Sequence, residues 1–176
     1  TCKAHEGQTV LEVGRANDIV IPTLCYHEGL EGYGNLGWLI VGIAGIPSSI
    51  LWMRWAHSYG SVNVIIIAMM LQIVGILIPA LSTNIYLNLL SGALYGSTFI
   101  GLVALFLNLG GQLAGKNPVV LMGAMTAAYG IGQVGAPLYS VALIDYFNNY
   151  NATLYVTAFI VFVGIVFLLY AKIIES

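Results

Sequence analysis

Charge is what this sequence has least of. Its 176 residues include five Lys and Arg and seven Asp and Glu, so 7% are charged against 59% hydrophobic, where a soluble domain has about a quarter charged residues. A water-facing surface cannot be made from so few charges, which excludes an ordinary soluble globular fold. A net charge of −2 with no Lys/Arg cluster excludes a protein that neutralises rows of phosphates, so nucleic acid is not an expected partner. Two cysteines, Cys2 and Cys25, could pair, but both sit in the polar head, where two cysteines of a membrane chain say little about redox compartment, and they are expected to be free thiols. The first 35 residues have neither a basic n-region nor an apolar h-region, so no cleavable signal is expected.

Signals for chemistry are equally sparse. Cys25, His27, Glu28 and Glu31 lie close together in the polar head, but their spacing matches no zinc pattern, and His27-Glu28 lacks the second His of a metalloprotease helix. No Lys-Ser/Thr pair follows a glycine loop, and Ser, His and Asp are too dispersed for a hydrolytic triad. The expectation is a protein that is not an enzyme and uses no metal and no cofactor.

What the sequence has is length without charge. Seven of the twelve charges lie before Leu36, and the remaining five are Arg54, Lys116, Asp145, Lys172 and Glu175. The runs between them belong in hydrocarbon, where only helices satisfy their own backbone and about 20 residues cross the bilayer. This predicts an all-α, polytopic transmembrane helix bundle of about five spans, at 36–55, 62–81, 85–109, 118–144 and 153–174, preceded by a polar head at 1–35. Pro118 suits a first helical turn, whereas Pro47 and Pro137 interrupt their spans and predict kinks. Arg54, Lys116 and Lys172 fall at one end of the spans, so by the positive-inside rule that end is expected to face the cytoplasm.

The spans differ in where their polarity lies. The third carries Asn88, Ser91, Tyr95 and Thr98 at steps of three and four, which makes a polar stripe. The fourth carries Thr126, Tyr129, Gln133 and Ser140, together with a row of small residues at Ala124, Ala128, Gly132, Ala136 and Ser140 that another helix can approach closely. Gly92 and Gly96 form a similar surface on the third span. The second and fifth spans are apolar nearly all round and are expected to face lipid. Stripes of this kind either hold helices together or line a solute pathway. Apart from Lys172 at the very end of the fifth, the spans contain no carboxylate, lysine or histidine of the sort that relays protons.

Several segments carry a family resemblance in their order and spacing: Gly29-Leu30-Glu31-Gly32-Tyr33-Gly34, Gly37-Trp38-Leu39-Ile40-Val41-Gly42, Pro47-Ser48-Ser49-Ile50-Leu51-Trp52, Gly96-Ser97-Thr98-Phe99-Ile100-Gly101 and Thr126-Ala127-Ala128-Tyr129-Gly130-Ile131-Gly132-Gln133. From about Leu24 onward the chain resembles the C-terminal half of a major facilitator superfamily transporter, more narrowly the bacterial YbfB/YjiJ type. The resemblance implies that the five spans are the eighth to twelfth helices of such a transporter, in a bacterial cytoplasmic (inner) membrane, with most of a seventh helix and the whole N-terminal half missing. It also implies a small-molecule solute moved by alternating access, a process that needs two halves, so that this chain alone is not expected to transport. The substrate pathway is then assigned to Asn88, Ser91, Tyr95, Thr98, Tyr129 and Gln133, and Glu31 matches a glutamate at the start of the truncated helix. The helix interface is assigned to Gly92, Gly96, Gly132, Ala136 and Pro137, the segment from Gly132 to Pro137 being similar to the superfamily's Gly-Pro motif. The inner joint Met53-Arg54-Trp55-Ala56-His57-Ser58-Tyr59-Gly60 is similar to a degenerate copy of its cytoplasmic Gly/Asp/Arg/Gly loop. The rival expectation is a small non-transporting membrane anchor or assembly subunit.

Overall fold

A computed structural model describes Val13 and residues 34–115 and 117–175. The chain divides into two units, Thr1–Gly34 and Asn35–Ser176. The expectations for Cys2, Cys25, His27, Glu28, Glu31 and Lys116 lie outside the described residues. All regular structure among the described residues is helical: α1 (Gly34–Gly45), α2 (Ser48–Tyr59), α3 (Ser61–Leu81), α4 (Ile85–Leu113), α5 (Pro118–Phe147) and α6 (Tyr150–Glu175). Five stretches are long and apolar enough to cross a membrane, Leu36–Tyr59, Ser61–Leu81, Ile85–Leu113, Pro118–Phe147 and Tyr150–Ile174.

Local chemistry sets the breaks. Pro47 has no N–H to offer the Ile43 carbonyl four residues back, so the first span breaks at Ile46 and Pro47 into α1 and α2. The Ile43 carbonyl accepts instead from the Ile46 N–H at 3.3 Å, in a tightened last turn. Gly60 is the whole joint between α2 and α3, at φ +87°, a conformation that favours glycine. The Asn84 side chain caps α4 by accepting from the Tyr86 N–H at 2.9 Å. Pro118 opens α5, and Asn148, left-handed at φ 48°, closes it.

The core lies around α3. Val64, Ile65, Ala68 and Met69 of α3 pack with Trp52 and Ala56 of α2, Leu102 and Leu105 of α4 and Ile165 of α6. This corrects the expectation that the second span only faces lipid. Its Ile67, Met70, Leu71 and Val74 do point outward, but the opposite side is the most buried surface of the bundle. An evenly apolar helix suits a core and a bilayer equally well. The fifth span, α6, follows the expectation more closely, since Phe159, Ile160, Phe162, Val166, Phe167 and Tyr170 are exposed.

Three helix ends share one end of the bundle. Lys172 of α6 donates to the Asn63 Oδ1 of α3 at 2.6 Å, and the Asn63 amide donates to the Tyr59 carbonyl of α2 at 2.9 Å. Arg54 and Lys172 therefore lie at the same end.

Small residues determine how closely α4 is approached. A Cβ at Gly96 would collide with the Val41 carbonyl oxygen and lie 2.7 Å from its Cα, so α1 rests directly on the backbone of α4 there. At Gly92 the nearest atoms, Gly37 O and Val41 Cγ2, are 3.6 Å away, an ordinary contact. Lower down, the Trp52 ring occupies the space over Gly101, and its Nε1–H donates to the Ser97 carbonyl at 2.6 Å.

Candidate functional site

The polar stripe of α4 divides into two sets. At about 100° per residue, Ser91 and Thr98 stand roughly 60–100° round the helix from Asn88 and Phe99, and that offset decides their neighbours. Ser91 is buried and donates from Oγ to the Gly75 carbonyl of α3 at 2.6 Å. Gly75 lies four residues before Pro79, whose ring nitrogen has no hydrogen. The Ser91 hydroxyl thus supplies the hydrogen bond that Pro79 removes from α3. Thr98 is fully buried and bonds the carbonyls of its own helix, Leu94 at 2.8 Å and Tyr95 at 3.1 Å. The hydroxyls of Ser91 and Thr98 are thus both engaged inside the bundle, and the structure does not bring them together with the other polar residues. Ser91→Ala is accordingly expected to lower stability by about 1 kcal/mol, as interhelical hydrogen bonds in membranes do. Equilibrium unfolding of the purified variant in mixed micelles checks it, and a wild-type curve would remove the assignment.

The other set converges with α5. Tyr95 stacks on Phe99, ring centroids 5.3 Å apart and planes 15° from parallel, and Phe99 lies 6.3 Å from the ring of Tyr129 on α5. The Gln133 amide donates to the Tyr129 hydroxyl at 2.8 Å. Tyr95, Phe99, Tyr129 and Gln133 form a continuous patch near the middle of both helices, and its Gln133 end is exposed. Pro137 adds to it, because with no N–H it leaves the Gln133 backbone carbonyl without its helical donor. Asn88 stands two turns above Tyr95, half-buried, its Oδ1 buried and without a hydrogen-bond partner. Phe99 was missed by sequence reasoning, which followed polar residues. Its position four residues after Tyr95 on one helical face was the available signal.

The patch has hydroxyls, an amide and aromatic faces but no charge, metal-ligand set or nucleophile–base pair, so it is suited to contact rather than bond making. Its setting is an unevenly packed helix. No residue of α5 is buried. Met122 and Met125 lie against Gly111 and Gly110 of α4, and Tyr139 meets Thr157 of α6 at 2.9 Å. Since the Thr157 Oγ1 donates to the Thr153 carbonyl at 2.8 Å, Tyr139 is the donor of that pair. Of the residues assigned to the helix interface, Gly92 and Gly96 meet α1, Gly132 has nothing within 4 Å of where a Cβ would stand, and Ala136 and Pro137 are half-buried.

A family model described as an uncharacterised MFS-type transporter, YbfB, matches residues 30–169. The chain belongs to this family. It is a multi-pass membrane protein of a YbfB-type transporter family. No curated protein and no solved structure matches the chain significantly.

Proposed function

We propose that this YbfB-type bundle forms one side of a solute pathway, in which an uncharged or weakly charged small molecule contacts Tyr95, Phe99, Tyr129 and Gln133, with Asn88 above them. The observation that carries this reading is the uncharged aromatic and amide patch joining α4 and α5 at mid-membrane. Buried residues elsewhere in the bundle already have packing partners, whereas this patch keeps an exposed end and acceptors to spare. Alternating access requires two bundles rocking about a midplane site. The exposed Ala124, Ala128 and Gly132 of the small row of α5, with open space at Gly132, support α5 as the surface that meets the second bundle. The cationic end marked by Arg54 and Lys172 is the cytoplasmic end on this reading, and the membrane is the inner membrane of a bacterium. Serine and threonine on the rest of the stripe serve packing.

The test is flux into proteoliposomes holding the chain together with the matching second bundle, measured over a panel of radiolabelled neutral solutes. Uptake of at least one solute is expected, with Tyr95→Phe and Asn88→Ala each reducing it about tenfold, roughly the effect of one lost polar contact in a desolvated site. Unchanged flux in both variants would remove these residues from the pathway. No flux under any condition would favour the anchor reading.

A further inference from the structure

The outward side of α2 carries a shallow, open depression lined, among the described residues, by Ser49, Ile50, Met53, Arg54, His57 and Ser58. It lies opposite the side of α2 that buries Ser48, Trp52 and Ala56 against the bundle. Its chemistry is graded along the helix axis. Arg54, His57 and Ser58 lie in the last turns before Gly60, at the end of the bundle that also carries Lys172. Ile50 and Met53 continue toward the middle of the span. At 1.5 Å per residue, the step from His57 to Ile50 is about 10 Å, from an interfacial depth into hydrocarbon. Arg54 and His57 are exposed, and no ion pair is formed among the described residues by either. Trp55 and Tyr59, both exposed, lie at the same level of α2 but on its other side, with rings of the kind that settle at headgroup level.

We propose that this depression seats an anionic phospholipid, its phosphate on Arg54 and His57 and an acyl chain along Ile50 and Met53. A guanidinium at the membrane surface, with no acidic partner among the described residues, attracts an anionic headgroup. The Ser58 hydroxyl donates to the Arg54 carbonyl at 3.4 Å, and Ser58 stands beside the headgroup position. A free anion could use the charged end of the depression but not its apolar half, and that half is what selects a lipid. The proposal is independent of the solute pathway, which lies on α4 and α5.

The experiment places the purified chain in phosphatidylcholine vesicles with spin-labelled phosphatidylglycerol or spin-labelled phosphatidylcholine, and reads the motionally restricted fraction of each. Wild type is expected to favour phosphatidylglycerol by about fivefold, the preference one basic side chain gives near an anionic lipid. Arg54→Gln should bring the ratio close to one, Arg54→Lys should keep most of it, and Lys172→Gln on α6 should leave it unchanged. Equal association of the two lipids with wild type, or a preference that survives Arg54→Gln, overturns the proposal. So does an equal loss in Lys172→Gln, which would mean diffuse surface charge. Displacement of the restricted phosphatidylglycerol by millimolar glycerol phosphate would identify a water-soluble anion as the occupant and overturn it too. Circular dichroism and thermal melting of each variant guard against misfolding, and Arg54→Lys keeps the test decisive if Arg54→Gln does not fold.

Discussion

Gly96→Ala is expected to destabilise the bundle by roughly 2 kcal/mol, although alanine is the better helix former. Two effects oppose each other. Replacing a mid-helix glycine by alanine contributes about 0.5–1 kcal/mol of helix stability. Against it, the new methyl would collide with the Val41 carbonyl oxygen and lie 2.7 Å from the Val41 Cα, and backbone atoms cannot swing aside as a side-chain tip does. Overpacking of this kind costs about 1–3 kcal/mol, and more where backbone must move, so the clash wins. Gly92→Ala, with its nearest atoms at 3.6 Å, and Gly132→Ala, with nothing within 4 Å, should be neutral or slightly stabilising. Unfolding of the three variants in mixed micelles reads the order directly. Equal curves for Gly96→Ala and Gly92→Ala would mean that α1 does not sit on α4 at Gly96.

Trp52→Ala is expected to cost about 2–3 kcal/mol, with Trp52→Phe recovering more than half. In water, truncating a buried tryptophan removes about 3–5 kcal/mol, including the gain from taking apolar surface out of solvent. In a bilayer that transfer term is small, because the unfolded helices are already in hydrocarbon. What remains is the van der Waals contact over Gly101 and the bond from Nε1 to the Ser97 carbonyl. Phenylalanine keeps most of the first and loses the second, worth about 1 kcal/mol. The same unfolding assay applies, and a Trp52→Phe loss as large as that of Trp52→Ala would put the hydrogen bond, not packing, in control of the α2–α4 contact.

How much of this could be read from the sequence depended on what each signal measures. The five spans were legible because charge-free length is sufficient in a bilayer, and the first breaks where Pro47 foretold. Span ends were less so. The first runs to Tyr59 and the third to Leu113, each four residues past its expected end. The third continues through Gly110 and Gly111 because Met125 and Met122 of α5 fill the space a side chain would have taken. The central place of α3 was not legible, since uniform hydrophobicity carries no direction. On α4 the spacing gave a single polar stripe, which the structure divides between contacts inside the bundle and a patch shared with α5. Ser91 faces a carbonyl left free by Pro79 on another helix, and no periodicity within α4 contains that information. Tyr129 and Gln133 were legible as polar residues one turn apart, and the structure joins them in a hydrogen bond, whereas Phe99 between them and Tyr95 was passed over as apolar.

The contacts of α6 also fix the order in which the bundle can be completed. Gly164 of α6 lies against Met69 of α3, and the Lys172 to Asn63 bond joins residues 109 apart in sequence. During synthesis α3 enters the membrane long before α6 exists, so one side of the core must stand open until α6 is released from the ribosome. A soluble protein in that condition would expose a sticky surface to water and risk aggregation. Here the open side of α3 meets acyl chains as apolar as itself, so the unfinished bundle can wait in the bilayer without penalty and close when α6 arrives.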